Sequence, residues 1–388
     1  MKNKINALTL ATGAALLLAS VPTFAEITLI QADPQPNDPL SRLTFQVGGS
    51  IRPQMNNMAG DDGANGYKRN GFDGGTRFRF TADYYLFDDI SWTSFYEIGV
   101  NLPKILNWDN HYASGAFNTQ LRHLYTGLKS DTWGTLTYGK QNSVYYNVIG
   151  VKTDIWGYDM LAQAPGVGIQ GDYDGTYHAR DSLKYMKKVD NVDLYASYLF
   201  EDSNYRVHSG KNYNGFSYKR KGGGSLGVDY HITKDLLWGT AWNYTRADMR
   251  YPGLNESKTW DQHIVGTALS WKPGNWTLTA GGGWYKNFLV RKQSDKTVNN
   301  YFAGDAWGVE YLAGYSFPVA RYGLKAIMPY FMGDRLEYIN GSNYKRIDNG
   351  VGLTFKFQPG FQIEYEHMFT SSTDNLGDMN YVRVRYDF

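Results

Sequence analysis

Apolar and polar residues alternate along most of the chain, and the three- or four-residue spacing of amphipathic helices is scarce. In the stretch 76–86, Phe78 and Phe80 fall on one face of an extended chain, and Arg77 and Arg79 fall on the other. Because successive side chains of a β-strand point to opposite sides, this period of two predicts a strand with one apolar and one charged face. The same pattern recurs up to the carboxyl terminus, so the chain is predicted to be almost entirely β.

The alternating segments predict sixteen strands. Their connections alternate between tight turns, such as 273–274, and long polar stretches, such as 202–222 and 287–305. An even number of strands with turns on one side and loops on the other is typical of an up-and-down antiparallel sheet. The predicted strands lie near 42–54, 76–86, 90–101, 119–130, 133–140, 181–188, 191–201, 223–232, 236–247, 261–272, 275–286, 306–316, 321–333, 345–357, 360–370 and 378–388.

The strand pattern has a direct physical explanation if the protein crosses a membrane. In a lipid bilayer every backbone N–H and C=O group must find a partner within the protein, so strands can cross only as a closed barrel. The apolar faces then contact lipid, the polar faces line a water-filled lumen, and aromatic residues at strand ends, such as Trp92, Trp238 and Trp276, lie at the membrane interfaces. The predicted fold is therefore all-β: a transmembrane antiparallel β-barrel of sixteen strands.

A secreted β-sandwich also has alternating strands and is the main alternative to a barrel. Its inward faces would pack into a dry core, which does not accept unpaired charges. In the last two strands, one face holds Arg383, Arg385, Glu364 and Glu366, whereas the opposite, apolar face holds almost no charged residue. This distribution favours a barrel with a wet lumen.

The amino terminus predicts export. Lys2 and Lys4 precede a run rich in Ala and Leu, and a small-residue cleavage motif ends at Ala25. The run is short for a transmembrane anchor, so residues 1–25 are predicted to be a secretory signal peptide and residues 26–388 the barrel. Loss of the two lysines leaves 37 basic residues against 37 acidic ones, and this balance implies no nucleic-acid partner.

No catalytic residue, metal site or cofactor is predicted. Cysteine is absent, which excludes disulfides and thiolate ligands, and the seven histidines lack metal-ligand spacing. The pair Glu364 and Glu366 imitates the two carboxylates of a glycosidase. Carboxylates that line a wet lumen are the commoner explanation, so the protein is not predicted to be an enzyme.

Three stretches resemble the general diffusion porins of the Gram-negative outer membrane, a family of trimeric, sixteen-stranded barrels. They are the strand pair at 122–141, the segment RDSLKY at 180–185, and the last three strands with the terminal Phe at 348–388. The resemblance implies an outer-membrane homotrimer, in contact with lipid, that lets small hydrophilic solutes and ions diffuse passively. The segment 26–42 is longer than the usual start of the family.

The resemblance also implies a narrowing of the lumen. The third loop, about 142–178, is rich in aromatic residues and Gly and would fold into the barrel, with its acidic residues facing a basic wall. Asp159 takes the second acidic position only with a one-residue shift, and His178 stands where the family has a basic residue, which weakens the positive wall at neutral pH. Lys152 is an alternative partner for the first loop carboxylate. The predicted constriction residues are Arg52, Arg77, Arg122, Asp154, Asp159, His178 and Arg180.

Two other functions stay open at this point. A sugar-selective porin is an alternative because aromatic rings stack on sugars, and the third loop carries several of them. An outer-membrane barrel hydrolase is a more distant alternative, since it needs a nucleophile and His pair that the sequence does not reveal. The loop aromatic residues are Tyr145, Tyr146, Trp156, Tyr158 and Tyr173.

Overall fold

A computed structural model of the protein describes ten ranges of the chain. Within them, strands take up most of the residues, and the barrel strands pair antiparallel with their neighbours in sequence. The predicted signal peptide, residues 1–25, and Asp159 lie outside the described residues. The described ranges are 26–59, 70–106, 118–154, 171–206, 217–250, 257–288, 304–341, 343–357, 360–373 and 377–388.

The sheet is a closed barrel of sixteen strands, four of which are interrupted by a short irregularity. The strands are β1 (Leu43–Ile51 and Pro53–Ala59), β2 (Asn70–Asp73 and Arg77–Phe87), β3 (Ile90–Val100), β4 (Thr119–Ser130), β5 (Gly134–Asn142), β6 (His178–Val189), β7 (Val192–Leu199 and Asp202–Arg206), β8 (Ser217–His231), β9 (Leu236–Arg250), β10 (Ser257–Trp271), β11 (Trp276–Lys286), β12 (Ala306–Tyr315 and Phe317–Arg321), β13 (Leu324–Tyr338), β14 (Lys345–Phe357), β15 (Phe361–Ser372) and β16 (Asp378–Asp387).

The predicted number of strands and the predicted fold class are confirmed. The bounds predicted for β4 and β14, 119–130 and 345–357, agree with the structure at both ends. The strands β8, β9 and β10 extend further than predicted, because their outer ends continue to pair beyond the apolar part of the sequence. Alternation of apolar residues marks only the part of a strand that contacts lipid. It therefore underestimates the length of strands that extend beyond the lipid.

The first and last strands close the barrel. Ser50 lies opposite Asp387, and further along the same pair of strands Met55 lies opposite Val382. The terminal Phe388 adds to this seam, since its backbone O accepts a hydrogen bond from the Gly49 N–H at 2.7 Å. The carboxy-terminal strand therefore has no free edge along this part of β1.

A short amino-terminal strand, Ile27–Ile30, lies next to the part of β1 that β16 does not reach. It pairs antiparallel with β1, with Ile27 opposite Val47. The Glu26 side chain accepts a hydrogen bond from Thr81 on β2 at 2.7 Å, which fixes the start of this strand. The segment 26–42, which is longer than the usual start of the resembled family, thus forms a hairpin with β1 at the barrel rim.

The outer and inner faces of the barrel follow the predicted alternation. On β16, Val382 and Tyr386 are exposed on the outer face, whereas Arg383 between them is buried on the inner side. Trp92 and Trp276 are likewise exposed near the tight-turn end of the barrel. An outer surface of apolar and aromatic residues is what a lipid-facing wall requires.

Helices are short and lie in the connections between strands. No helix among the described ranges is long and apolar enough to span a membrane. The tight turns rely on residues in left-handed backbone geometry, such as Asp88 with φ of 48° and Gly274 with φ of 61°. The helices are a 3-10 helix at Pro39–Arg42, α-helices at Leu102–Ile105, Val151–Thr153 and Gly171–Asp174, and a π-helix at Tyr146–Gly150.

Candidate functional site

Four glycines on adjacent strands form a flat area on the inner wall of the barrel. Glycine is required there because a Cβ atom would meet the third loop: at Gly227 it would lie 2.7 Å from Cγ1 of Val144, and at Gly281 it would lie 2.7 Å from Cγ2 of Thr153. We name this area the glycine platform, which consists of Gly227 on β8, Gly239 on β9, Gly266 on β10 and Gly281 on β11.

The first part of the third loop packs on the glycine platform. Its consecutive helical turns, Tyr146–Gly150 and Val151–Thr153, run across these strands. The loop side chains of Val144, Val148 and Ile149 are fully buried between the loop and the barrel wall. Burying an aliphatic side chain of this size contributes about 1.5–3 kcal/mol. Apolar packing on a wall stripped of side chains therefore holds this part of the loop against one side of the barrel.

A buried ion pair ties the same part of the loop to the wall. Lys152 Nζ lies 2.6 Å from Asp229 Oδ1 on β8, and it also donates a hydrogen bond to the Val148 carbonyl. The two side chains are 1% and 5% exposed. Burial lowers the pKa of Lys152, and the Asp229 carboxylate opposes that shift. Lys152 thus pairs with the wall rather than with Asp154, the alternative that the sequence left open.

The returning part of the loop is anchored on β9. The Asp174 carbonyl accepts a hydrogen bond from Asn243 Nδ2 at 2.9 Å and another from the Thr245 hydroxyl. The Asp174 carboxylate accepts two hydrogen bonds, from the backbone N–H of Thr176 at 2.9 Å and from its hydroxyl at 2.6 Å. Burial nevertheless raises the pKa of Asp174 to about 6.

Asp154 ends the docked segment and is held by a tyrosine. Tyr146 donates a hydrogen bond to Asp154 Oδ2 at 2.6 Å, and the ring of Tyr177 packs edge-on against the ring of Tyr146 with centroids 4.7 Å apart. Burial, followed by the nearby Asp154 charge, holds the pKa of Tyr146 well above its usual value. Tyr146 therefore stays protonated and remains a donor to Asp154.

A cluster of basic residues surrounds Glu97 on β3. Arg122 Nε lies 2.6 Å from its carboxylate, and the Nε of Arg79 and the NH1 of Arg77 lie 3.7 and 3.9 Å away. The Glu97 side chain is only 5% exposed, whereas the three arginine side chains are 16–19% exposed. The carboxylate lies behind the guanidinium groups, so the wall presents positive charge to the lumen.

A β-bulge brings Arg122 into this cluster. Glu97 lies opposite His123, while the next residue of β3, Ile98, lies opposite Leu121, so Arg122 is the extra residue. His123 is buried beside Glu97, with 3.5 Å between its Nδ1 and the carboxylate. Strict alternation places neighbouring residues on opposite faces, so it does not predict that His123 joins Arg122 on the inner wall. The signal that could have revealed the bulge is the spacing of three between Leu121 and Leu124, which are both exposed on the outer face.

His178 completes the cluster from the end of the loop. Its ring stacks on Tyr177 with centroids 3.7 Å apart and meets the His123 ring edge-on at 4.4 Å. Its Nε2 lies 3.4 Å from a guanidinium nitrogen of Arg122. The structure thus brings together Arg122 and His178, two of the predicted constriction residues, with Arg77 on the same carboxylate cluster.

The remaining predicted residues have different surroundings. Arg52 donates a hydrogen bond to Ser50 Oγ at 2.6 Å and lies 3.8 Å from Asp387, at the seam between β1 and β16. Arg180 forms an ion pair with Asp202 on β7 at 3.3 Å. Their membership of a constriction, like that of Asp159, remains a prediction.

Several charged residues of the other strands have partners on the inner wall. Arg383 on β16 forms an ion pair with Glu364 on β15, and Tyr330 donates a hydrogen bond to Glu366 at 2.6 Å. These contacts assign both glutamates to the charged lining of the wall. Within the described ranges, no group of His, Asp and Glu side chains is arranged to hold a metal ion.

The match to a family model decides the family. The model described as Gram-negative porin matches residues 10–311, which is most of the chain. The chain belongs to this family. It is therefore an outer-membrane channel protein. A comparison with curated protein sequences finds no match.

Solved porin structures share the fold of this porin at low sequence identity. OmpF of Salmonella typhi, in complex with daunomycin, has 15% identity and a TM-score of 0.65, over 89% of this chain and 98% of that one. The outer-membrane channel DcaP of Acinetobacter baumannii has 12% identity and a TM-score of 0.63, over 92% and 100%. OmpT of Vibrio cholerae in its trimer form has 13% identity and a TM-score of 0.59, over 89% and 99%.

Proposed function

We propose that this porin is a passive, non-enzymatic channel for small hydrophilic solutes and ions, narrowed by the third loop at about 142–178. The observation that carries the proposal is the glycine platform, because a row of side-chain-free positions on β8–β11 is what lets the loop lie inside the wall. The docked loop and the arginine cluster around Glu97 belong to opposite parts of the wall, and Tyr146 and Tyr177 lie between them. A charged lumen narrowed in this way selects solutes by size and charge.

The proposed constriction contains Asp154 on the loop and Arg77, Arg122 and His178 at the basic wall. Arg52 and Arg180, which each pair with a carboxylate on a neighbouring strand, and Asp159, the second loop carboxylate, are included by resemblance to the family. A neutral histidine at position 178 leaves this wall less positive near pH 7 than an arginine or lysine would.

We further propose that the porin is exported by cleavage of residues 1–25 and assembles as a homotrimer. The charge and length of the first 25 residues support export, and the trimer form of the similar Vibrio cholerae OmpT supports the assembly. A sugar-selective channel is the second candidate. The perpendicular ring pair of Tyr146 and Tyr177 beside charged groups favours it, since sugars bind to such mixtures of aromatic and polar side chains.

The test is conductance of the purified, refolded protein in planar bilayers, followed by liposome swelling with solutes of graded size. A passive channel gives ohmic steps, grouped in threes for a trimer, and swelling rates that fall smoothly with solute size. Block by an oligosaccharide but not by a neutral polymer of equal size would instead support the sugar-selective channel. A correctly folded barrel that conducts no ions would contradict both candidates.

A further inference from the structure

A groove runs along the outer wall of the barrel, towards the loop end of β7, β8 and β9. Its floor consists of Gly222 and Gly224 on β8, and Gly224 lies opposite Tyr198 of β7 on one side and Tyr244 of β9 on the other. The floor faces outward, because Gly224 is two residues from Leu226, which is 57% exposed. The groove has a volume of about 380 Å³, within the range of about 300–1,000 Å³ that small-molecule sites have. We name it the outer groove.

The backbone beneath the outer groove is irregular and is held from the inner side. Lys221 is the extra residue of a β-bulge between Arg220 and Gly222. The side chain of Arg220 is fully buried, and its guanidinium donates hydrogen bonds to the carbonyl of Phe200 at 2.7 Å and to that of Arg180 at 2.6 Å. Because these contacts fix the bulge, the groove and the position of Lys221 are built into the wall.

The position of the outer groove along the barrel places one end of it among lipid tails and the other among headgroups. The exposed Trp238 marks the tight-turn end of β9, and Arg246 follows it on the same face. At about 3.3 Å per residue and a strand tilt of about 35–45°, the two lie about 19–22 Å apart along the barrel axis, close to the apolar band of about 25 Å. Trp242 and Tyr244 therefore lie within the band, and Lys221 and Arg246 lie at its border.

The charged residues at this border have both signs. Lys221 pairs with Asp248 at 3.1 Å, and Arg246 lies 3.9 Å from Asp261. Lys221, Arg246 and Asp261 are 39–57% exposed, so their charged ends are accessible to a headgroup. Ammonium and guanidinium groups carry three and five N–H donors, which leaves donors for a phosphate, while the carboxylates can accept from an ammonium. Such a border is complementary to a zwitterion, whereas a polyanion would meet two carboxylates.

We propose that the outer groove is a binding site for a membrane phospholipid whose headgroup carries a phosphate and a primary ammonium. An acyl chain lies on the glycine floor between Tyr198 and Tyr244. The phosphate accepts hydrogen bonds from Lys221 and Arg246, and the ammonium donates to the adjacent carboxylates. The site lies on the lipid-facing wall, so it is independent of what passes through the lumen and goes beyond the proposed function.

The experiment is native mass spectrometry of the refolded barrel in detergent, titrated with two lipids that share their acyl chains and carry either a phosphoethanolamine or a phosphoglycerol headgroup. We expect the wild type to retain the phosphoethanolamine lipid at the lower concentration. Arg246→Gln should weaken its binding about tenfold, the usual effect of losing a hydrogen bond to a charged group. Asp261→Asn should weaken the phosphoethanolamine lipid but strengthen the anionic phosphoglycerol lipid, because it removes a partner of the ammonium and one negative charge.

The matched control is Arg335→Gln. Arg335 also lies on the outer wall beside an aromatic ring and a carboxylate, 4.8 Å from the ring centre of Trp307 and paired with Glu337, but outside the groove. This variant should bind both lipids like the wild type. Equal binding of the two lipids by the wild type overturns the site, as does tighter binding of a polyanionic lipopolysaccharide or an equal loss in Arg335→Gln and Arg246→Gln. The wild-type comparison needs no variant to fold.

Discussion

Removing the charge of Lys152 should loosen the third loop while leaving the barrel folded. Lys152→Met leaves the Asp229 carboxylate, which is 5% exposed, without the ammonium group that lies 2.6 Å away in the wild type. Leaving one member of a buried ion pair uncompensated costs about 3–5 kcal/mol. That cost increases the population of the undocked loop roughly a hundredfold to several thousandfold, because each 1.4 kcal/mol is a factor of ten. The barrel itself is stabilised by the hydrogen bonds between its strands and does not depend on this ion pair.

The assay is the rate of brief closures and the open-channel noise in single-channel recordings. Lys152→Met should raise both, and the double variant Lys152→Met/Asp229→Asn should lie closer to the wild type, because no buried charge is then left alone. Lys221→Met is the matched control. Lys221 pairs with Asp248 at 3.1 Å, but both side chains are partly exposed, and such pairs contribute only about 0–1 kcal/mol.

The pH dependence of the two single variants separates an electrostatic cause from a general loss of packing. Because burial lowers the pKa of Lys152, the lysine stranded by Asp229→Asn can lose its proton as the pH rises. The excess noise of Asp229→Asn should therefore decline at alkaline pH. The excess noise of Lys152→Met should not, since a carboxylate stays ionised there. Quiet recordings of Lys152→Met, or a double variant as noisy as the worse single one, would refute the role of this ion pair.

Three further predictions concern the platform, the loop anchor and the basic wall. Gly227→Leu places a side chain against Val144, which overpacks the docked loop by about 1–3 kcal/mol, so conductance and noise should change while heat-modifiable gel mobility shows an intact barrel. The pKa of Asp174 is raised from 3.8 to about 6, so its folded environment favours the protonated form, and loop anchoring should weaken as the pH rises through this window. Closures should increase between pH 4 and 7 in the wild type and stay constant in Asp174→Asn; equal pH dependence in both would contradict the assignment. Arg77→Ala/Arg122→Ala should shift the reversal potential in a salt gradient towards cations, because it removes positive charge from the lumen wall, and an unchanged potential would remove both residues from the constriction.

The sequence predicted the strands because lipid imposes the same rule on every one of them. Each strand must show an apolar face outward, so alternation recurs in places as distant as β4 and β16. It failed where a local irregularity changes the parity of a strand. The bulge at Arg122 turns both this residue and His123 inward, and alternation alone assigns them to opposite faces.

The loop contacts were beyond the reach of the sequence for a different reason. Alternation indicates which face of a strand a residue occupies, but it does not indicate which loop residue lies above it. Lys152 and Asp229 are separated by 77 positions, and the nearer Asp154 was an equally reasonable partner. The glycine platform is similar: glycines on β8–β11 fall on inward positions, yet only the docked loop explains why they carry no side chain.

The inner wall differs between β8–β11 and β2–β4, and this difference determines which property of the channel a substitution changes. On β8–β11 four of the inward positions are glycines that the loop covers; on β2–β4 three of them are arginines whose side chains are partly exposed. A change of charge at Arg79 therefore acts directly on ions in the lumen and should alter the reversal potential. A change at Gly227 acts through the position of the loop and should alter noise and closures. Variants of the two walls that gave the same signature would contradict this division of the lumen.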